Sequence, residues 1–172
     1  MDGDLDLSLK LGGDNGIPVN PNEHLYYPDA INLSYAKDYL QAVVDYNSNL
    51  QQTRKLVVNG KTGKDTTVGI DIVATWTPGD VNAANGRGGV SIISTREYAS
   101  IMPNVIMSCR KFLNDNRSAV ENMIAALAQA GDQVRSFDDV KKYACGLNAQ
   151  IWNEQTADYW YKYYNGIKQG NS

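Results

Sequence analysis

The residues best suited to bind a small molecule follow an apolar run at residues 70–74. Trp76 supplies a flat apolar wall with an indole N–H donor. Thr77, the Gly79 backbone and Asp80 supply polar contacts. In open α/β sheets, ligands bind in the crevice beyond the carboxyl ends of the strands. If residues 70–74 form such a strand, these four residues line a ligand site. The alternative is that Trp76 only closes the core at the strand end.

A glycine-rich stretch around Arg87 is a weaker candidate site. Three glycines surround Arg87 in residues 86–89. Successive backbone N–H groups in such a stretch can approach an anion. A flexible loop is the alternative interpretation. Asp80 and the acidic composition disfavour a bare anion as ligand, unless Arg87 or backbone donors offset the negative charge.

Several catalytic and metal motifs fail on their spacing. Residues 60–62 resemble the end of a phosphate-binding loop, but the glycine required five residues before Gly60 is replaced by Lys55. The alternating aspartates at residues 2–6 lack the glycine that a calcium loop needs, since Leu7 occupies that position. His24 is the only histidine, which excludes a paired-histidine zinc site and argues against a Ser-His-Asp triad. We therefore predict a non-enzymatic protein with no cofactor and no metal.

An aromatic cluster occupies residues 159–164, with the sequence Tyr-Trp-Tyr-Lys-Tyr-Tyr. On a helix, residues 159, 160, 163 and 164 share one face, and Tyr161 lies off it. Packing against the core is the first interpretation. A partner-facing patch is the alternative.

The amino-acid composition excludes several classes of protein. The 172 residues are 42% hydrophobic and 20% charged, which is typical of a globular domain and excludes collagen and disulfide-dense miniproteins. The net charge of −3 argues against non-specific nucleic-acid binding, which needs a basic face. No apolar run approaches the roughly 20 residues of a membrane-spanning helix. The acidic start, residues 1–6, has no features of a secretory signal peptide.

The periodicity predicts strands and helices in alternation. Leucines at every second position predict a strand at residues 5–11, and a helix follows at about 35–51, capped by Ser34. The Asn59-Gly60 pair predicts a hairpin turn, and its returning strand runs through residues 68–74. A further short strand is predicted at residues 90–94.

Four helices are predicted in the second half of the chain. Helical starts are expected at Pro103, at Asn116 or Ser118, at about Ser136, and after Thr156. The second of these helices is expected to end near Gly131. Cys109 and Cys145 fall in apolar helical patterns and are predicted to be buried thiols, with a disulfide between them as the alternative. The predicted fold class is α/β, with a small mixed sheet and several C-terminal helices.

The segment Asp71–Ile93 resembles bacterial substrate-binding proteins of ABC importers, of the nitrate, taurine and thiamine-precursor type. The shared pattern is an apolar strand containing aspartate, then Trp76-Thr77-Pro78, a loop of small residues, and a second apolar strand ending in Ser94. A subgroup described as phosphate-type binding proteins joined to OmpA-like domains shows further motifs, which extend the resemblance over nearly the whole chain. These motifs are Gly3-Asp4-Leu5, residues 14–21, Glu97-Tyr98, Met102-Pro103-Asn104-Val105, Asn114-Asp115-Asn116-Arg117, Tyr159-Trp160 and Tyr163-Tyr164-Asn165-Gly166.

The resemblance implies a partial periplasmic-binding-protein type 2 fold, in which two lobes close on a small molecule. Residues 1–75 would then correspond to part of the distal lobe and hinge, and residues 76–172 to part of the other lobe. Trp76, Thr77 and Asp80 would lie near the cleft between the lobes. The implied partners are a small-molecule ligand, an ABC permease, and either the missing lobe or a second copy of the chain.

Relative to that family, the chain is expected to lack the N-terminal half of the fold. The resemblance implies a periplasmic or cell-envelope location. Without a signal peptide, a cytoplasmic or virion-associated location stays open. The alternative function is a structural or interaction protein, in an assembly or a virus particle, built on one lobe of a binding protein.

Overall fold

The structure is a computed structural model that describes residues 3–98 and 105–169. These residues fall into two compact units, residues 3–98 and residues 105–169. The described chain combines helices with small mixed sheets, so the predicted α/β class is confirmed at that level. The predicted division after residue 75 concerns the lobes of a larger fold and stays a prediction. Residues 76–98 lie in the first compact unit.

The first unit contains three helices and five strands among its described residues. One sheet pairs β1 with β3 in parallel, and the other has the order β2-β4-β5, with β2 parallel and β5 antiparallel to β4. The elements are α1 (Gly3–Asp14), β1 (Val19–Asn20), β2 (Leu25–Tyr26), β3 (Ile31–Asn32), α2 (Tyr39–Ser48), β4 (Gln52–Val58), β5 (Lys61–Val68) and α3 (Gly79–Arg87).

The predicted hairpin is confirmed. Asn59 and Gly60 have φ angles of 50° and 72°, the left-handed conformation that a two-residue hairpin turn requires at both positions. Val58 pairs with Lys61 directly across this turn. Helix α2 is shorter than predicted, because the side chain of Asp38, and not that of Ser34, caps it by accepting from the N–H of Gln41 at 2.8 Å.

The strand predicted at residues 5–11 is wrong, since this segment lies in helix α1. Leucines at positions 5, 7, 9 and 11 alternate, but each also has a leucine four residues away, and leucine is a strong helix former. Gly12 lets the helix approach the following chain closely. A Cβ atom there would lie 2.7 Å from a methyl group of Val19 and 2.8 Å from the carbonyl oxygen of Ile17.

The strands predicted at residues 70–74 and 90–94 are also wrong. Strand β5 ends at Val68, and residues 70–74 have no regular secondary structure. At Ile70, side chains bind the backbone groups that a neighbouring strand would have bound. The N–H of Ile70 donates to Asn49 Oδ1 at 3.2 Å, and the carbonyl of Ile70 accepts from Arg87 at 2.6 Å.

Buried polar side chains connect the two small sheets of the first unit. Asn20 donates to Asn32 Oδ1 at 2.9 Å and to the Leu25 carbonyl at 2.9 Å. Arg54 on β4 is 3% exposed, and its guanidinium donates to the Leu33 carbonyl at 2.9 Å. Because buried donors and acceptors are costly when unpaired, these bonds fix how the short strands lie together.

The second unit is helical throughout its regular elements. Its helices are α4 (Arg110–Asp115), α5 (Arg117–Ser136), α6 (Asp138–Trp152) and α7 (Ala157–Tyr164). Thr156 caps α7 as predicted, since its hydroxyl accepts from the Tyr159 N–H at 3.1 Å. Helix α5 begins after Asn116 as predicted but continues past Gly131 to Ser136. Pro103, the predicted start of the preceding helix, lies outside the described residues.

The two cysteines of the second unit are free thiols. Cys145 is 1% exposed, which confirms its predicted burial, and burial raises the pKa of its thiol. The predicted burial of Cys109 is wrong. Cys109 is exposed at the N-cap of α4, where its Sγ accepts from the N–H of Phe112 at 3.4 Å.

Candidate functional site

Trp76 is half exposed and lies against the start of helix α2. Its side chain is 51% exposed, and its ring centroid is 5.2 Å from that of Tyr39, with an angle of 53° between the ring planes. Trp76 therefore does not close the core, because about half of its surface remains open to solvent. Tilted aromatic pairs at this distance stabilise each other beyond the area they bury.

The turn after Trp76 connects this aromatic pair to helix α3. The Thr77–Pro78 peptide bond is cis, and Pro78 is fully buried. Gly79 opens α3 and is itself buried. A Cβ atom at Gly79 would lie 2.2 Å from Thr75 Oγ1 and 3.2 Å from both Tyr39 and Val43. Gly79 thus lets α3 pack directly on α2.

Asp80 lies in the first turn of α3, directly after the turn that carries Trp76. The carbonyl oxygen of Trp76 accepts from the N–H groups of Gly79 at 2.6 Å and Asp80 at 3.4 Å. The Thr77 hydroxyl donates to Asp80 Oδ2 at 3.2 Å, and the Val81 N–H donates to Asp80 Oδ1 at 2.9 Å. The first backbone donors of α3 are therefore occupied within the turn, and a carboxylate adds negative charge there.

Arg87 lies at the opposite end of α3, roughly 10 Å along the helix axis from Asp80. Its guanidinium donates to the carbonyl oxygens of Tyr46 at 2.9 Å and Ile70 at 2.6 Å. It also lies 4.7 Å from the ring centroid of Tyr46. These contacts join the end of α3 to α2 and to residue 70, so the guanidinium is engaged away from Trp76.

The structure thus brings four of the five predicted site residues into one turn and separates Arg87 from them. It also adds Tyr39, which lies at the start of helix α2. Tyr39 and Trp76 are far apart in the chain. No local signal could have paired them, because their contact depends on how α3 packs against α2.

Two clusters of lysine, aspartate and tyrosine were not found from the sequence. In the first unit, Lys10 forms an ion pair with Asp14. The Tyr98 hydroxyl donates to the same carboxylate at 2.5 Å. The Lys10 ammonium also lies 5.0 Å from the centroid of the Tyr98 ring. The hydrogen bond from Lys10, and then that from Tyr98, lowers the pKa of Asp14. The same hydrogen bond to Asp14 raises the pKa of Tyr98.

The second unit repeats this arrangement with different spacing. Lys142 pairs with Asp138 at 2.8 Å, and the Tyr161 hydroxyl donates to Asp138 at 2.5 Å. Hydrogen bonds from Lys142 and then Tyr161 lower the pKa of Asp138, and the bond to Asp138 raises the pKa of Tyr161. These contacts connect the first turn of α6 to α7. The hydrogen bonds of these exposed clusters hold neighbouring segments together.

The aromatic face of α7 is only partly buried. Tyr159 and Trp160 are buried with their rings edge to face at 5.3 Å, as predicted. Tyr163 and Tyr164 are exposed, so their predicted burial is wrong. In addition, Tyr161 lies off the buried face and bonds to Asp138.

Helix α5 leaves its apolar stripe exposed. None of its 20 residues is buried, and Met123, Ile124 and Leu127 are 45%, 50% and 54% exposed. A groove of about 490 Å³ lies where α4 meets α5. It is lined by Ser108, Arg110, Leu113, Asn114, Arg117, Val120 and Glu121.

No family model, curated protein or solved structure matches the chain. Within residues 3–98 and 105–169, no helix combines the length and apolar character needed to cross a membrane.

Proposed function

We propose that the chain is a solute-binding-protein-like module that binds a small molecule for ABC-type import. The observation that carries this proposal is the half-exposed Trp76 ring, held by Tyr39 beside the polar turn of Thr77 and Asp80. Small-molecule sites combine apolar or aromatic walls with a few polar groups that orient the ligand. This corner of the first unit has both.

The aromatic pair supplies one wall of a site. Gly79 anchors the turn against α2, so the Trp76 ring is presented on a packed support. We propose that a second wall comes from another protein segment, as the resemblance to two-lobed binding proteins implies. The role implies a periplasmic or cell-envelope location and an ABC permease as the receiving partner.

Thermal denaturation with a panel of solutes tests this proposal. The panel contains inorganic anions, amino acids, amines and vitamin precursors, and the expected result is a saturable rise in melting temperature with at least one solute. Trp76→Leu is expected to remove the rise, because it removes the aromatic face. Trp152→Leu is the matched control, since Trp152 is 62% exposed on α6 in the second unit. The proposal fails if no solute raises the melting temperature, or if Trp76→Leu leaves the rise intact.

A second candidate function is an interaction module in a larger assembly. It is favoured by the exposed stripe of α5, because contiguous exposed apolar surface marks interaction sites. The expected result is self-association in light scattering at high protein concentration. Ile124→Glu on the stripe should reduce it, while Gln129→Glu on the opposite side of α5 should not. A monomeric mass at all concentrations would contradict self-association.

A further inference from the structure

The chemistry around Trp76 indicates which class of solute this corner selects. We infer that it binds an organic cation, a solute with a substituted ammonium group, with Trp76 and Tyr39 as the aromatic contacts and Asp80 as the counter-charge. The inference rests on the proposed solute-binding function and narrows it to one ligand class.

Trp76 and Tyr39 form an angled aromatic surface. The rings of Trp76 and Tyr39 are inclined by 53° with centroids 5.2 Å apart, so they form a corner and not a flat stack. The exposed face of an indole is the strongest aromatic partner for a cation, and quaternary ammonium groups are typically held by several aromatic rings at an angle. A flat apolar solute could use the same surface, so the aromatic pair alone does not distinguish charge.

The charged residues close in the chain to Trp76 and Tyr39 are mostly acidic. Asp80 follows Trp76 in the same turn, and Asp38 is the N-cap of α2, directly before Tyr39. Lys37 is the cation next to them in the chain. These three groups lie close in the chain to the two aromatic residues, and their formal charges sum to −1. Arg87, the cation in the predicted site, is bound to two carbonyl oxygens at the far end of α3.

The backbone donors that an anion would need at the start of α3 are already occupied. The N–H groups of Gly79 and Asp80 donate to the Trp76 carbonyl, and the Val81 N–H donates to the Asp80 carboxylate. An anion would therefore meet a carboxylate and occupied donors. A cation would meet a carboxylate and the negative faces of two aromatic rings.

A pair of isosteric probes tests the charge preference directly. Choline and 3,3-dimethylbutanol have nearly the same shape, but only choline carries a positive charge. Calorimetric titration of the full chain is expected to show choline binding about tenfold more tightly than the neutral alcohol, as expected for a cation–aromatic contact beside a carboxylate. The choline affinity should fall as salt is added, because the interaction with Asp80 is screened.

Two matched substitutions assign the effect to Asp80. Asp80→Asn keeps a side-chain oxygen that can accept from the Val81 N–H, and it should weaken choline binding several-fold without changing binding of the alcohol. Asp29→Asn removes an exposed carboxylate from the turn between β2 and β3 and should change neither. Trp76→Leu should weaken both probes, and its circular dichroism spectrum shows whether the fold is retained.

The outcomes separate this inference from the proposed function. Equal affinities for the two probes, or an unchanged choline affinity in Asp80→Asn, would overturn the cation preference and leave solute binding in place. Binding of an anion or amino acid from the panel without binding of choline would also overturn it. If neither probe nor any solute of the panel binds, the proposed function fails as well.

Discussion

Helix α3 of the first unit and helix α5 of the second unit differ in how much of each is buried. Helix α3 has nine residues and few large apolar side chains, yet Gly79, Ala83 and Ala84 are buried. Helix α5 has 20 residues and a clear apolar stripe, yet none of its residues is buried. Burial of α3 comes from small residues that allow α2 to approach closely. An apolar stripe shows that a helix face favours burial, and it does not say what covers that face.

Truncation of one apolar residue in each region is the strongest test of this contrast. Val43 on α2 is 5% exposed against α3, and Val43→Ala is expected to reduce the free energy of unfolding by about 2–4 kcal/mol, through lost burial and a residual cavity. Leu127→Ala on α5 should cost about 0.5 kcal/mol or less, as for other surface changes. Urea unfolding followed by circular dichroism measures both. A large cost for Leu127→Ala would show that the α5 stripe is covered in solution.

Substitution of a glycine by alanine is expected to lower the stability of the protein at Gly79 in α3 and to raise it at Gly131 in α5. Gly79→Ala places a Cβ atom 2.2 Å from Thr75 Oγ1 and 3.2 Å from Tyr39, so the packing must shift, at a cost of about 1–3 kcal/mol. Gly131 in α5 has nothing within 4 Å of an added Cβ. Gly131→Ala is therefore expected to stabilise the protein by about 0.5–1 kcal/mol through helix propensity.

Thermal and urea unfolding of the two glycine variants distinguish the causes. If both substitutions stabilise the protein, α3 does not pack closely on α2, and the support under Trp76 is absent. If both destabilise it, α5 has neighbours near Gly131.

Some local signals were predictable from the sequence, and pairing partners were not. The Asn59-Gly60 turn and the Thr156 cap each depend on side chains within a few residues, and both were found. The strand predicted at residues 70–74 needed a neighbouring strand. In the structure, Asn49 and Arg87 take the hydrogen bonds of residue 70 instead.

In the candidate site too, the residues close together in the chain were predicted, and the contact between distant residues was not. Trp76, Thr77, Gly79 and Asp80 were predicted together because they occupy one turn of the chain. Tyr39 was missed as a partner of Trp76, because α2 and α3 are separated by the whole β4–β5 hairpin. Arg87 was grouped with the site by its closeness in sequence, whereas a helix of nine residues holds it at the other end.

The exposed lysine–aspartate–tyrosine clusters give the smallest expected effect, and they test whether the second unit is ordered at its surface. The lowered pKa of Asp138 means that its contribution to stability is present above the unfolded value of 3.8 and is lost as pH falls through the lower folded value. Tyr161, whose pKa is raised above 10.0, contributes below pH 10 and loses that contribution as pH rises through its folded value.

Substitution of each partner separates the two causes of the Asp138 shift. Lys142→Met should raise the pKa of Asp138 more than Tyr161→Phe does, because the hydrogen bond from Lys142 is the larger cause. Lys10→Met and Tyr98→Phe should act on Asp14 in the same order. Carboxyl carbon shifts in an NMR pH titration measure all four changes. If Tyr98→Phe raises the pKa of Asp14 and Tyr161→Phe leaves that of Asp138 unchanged, the contact between α6 and α7 is absent in solution. The contrast between the units then extends from α5 to the rest of the second unit.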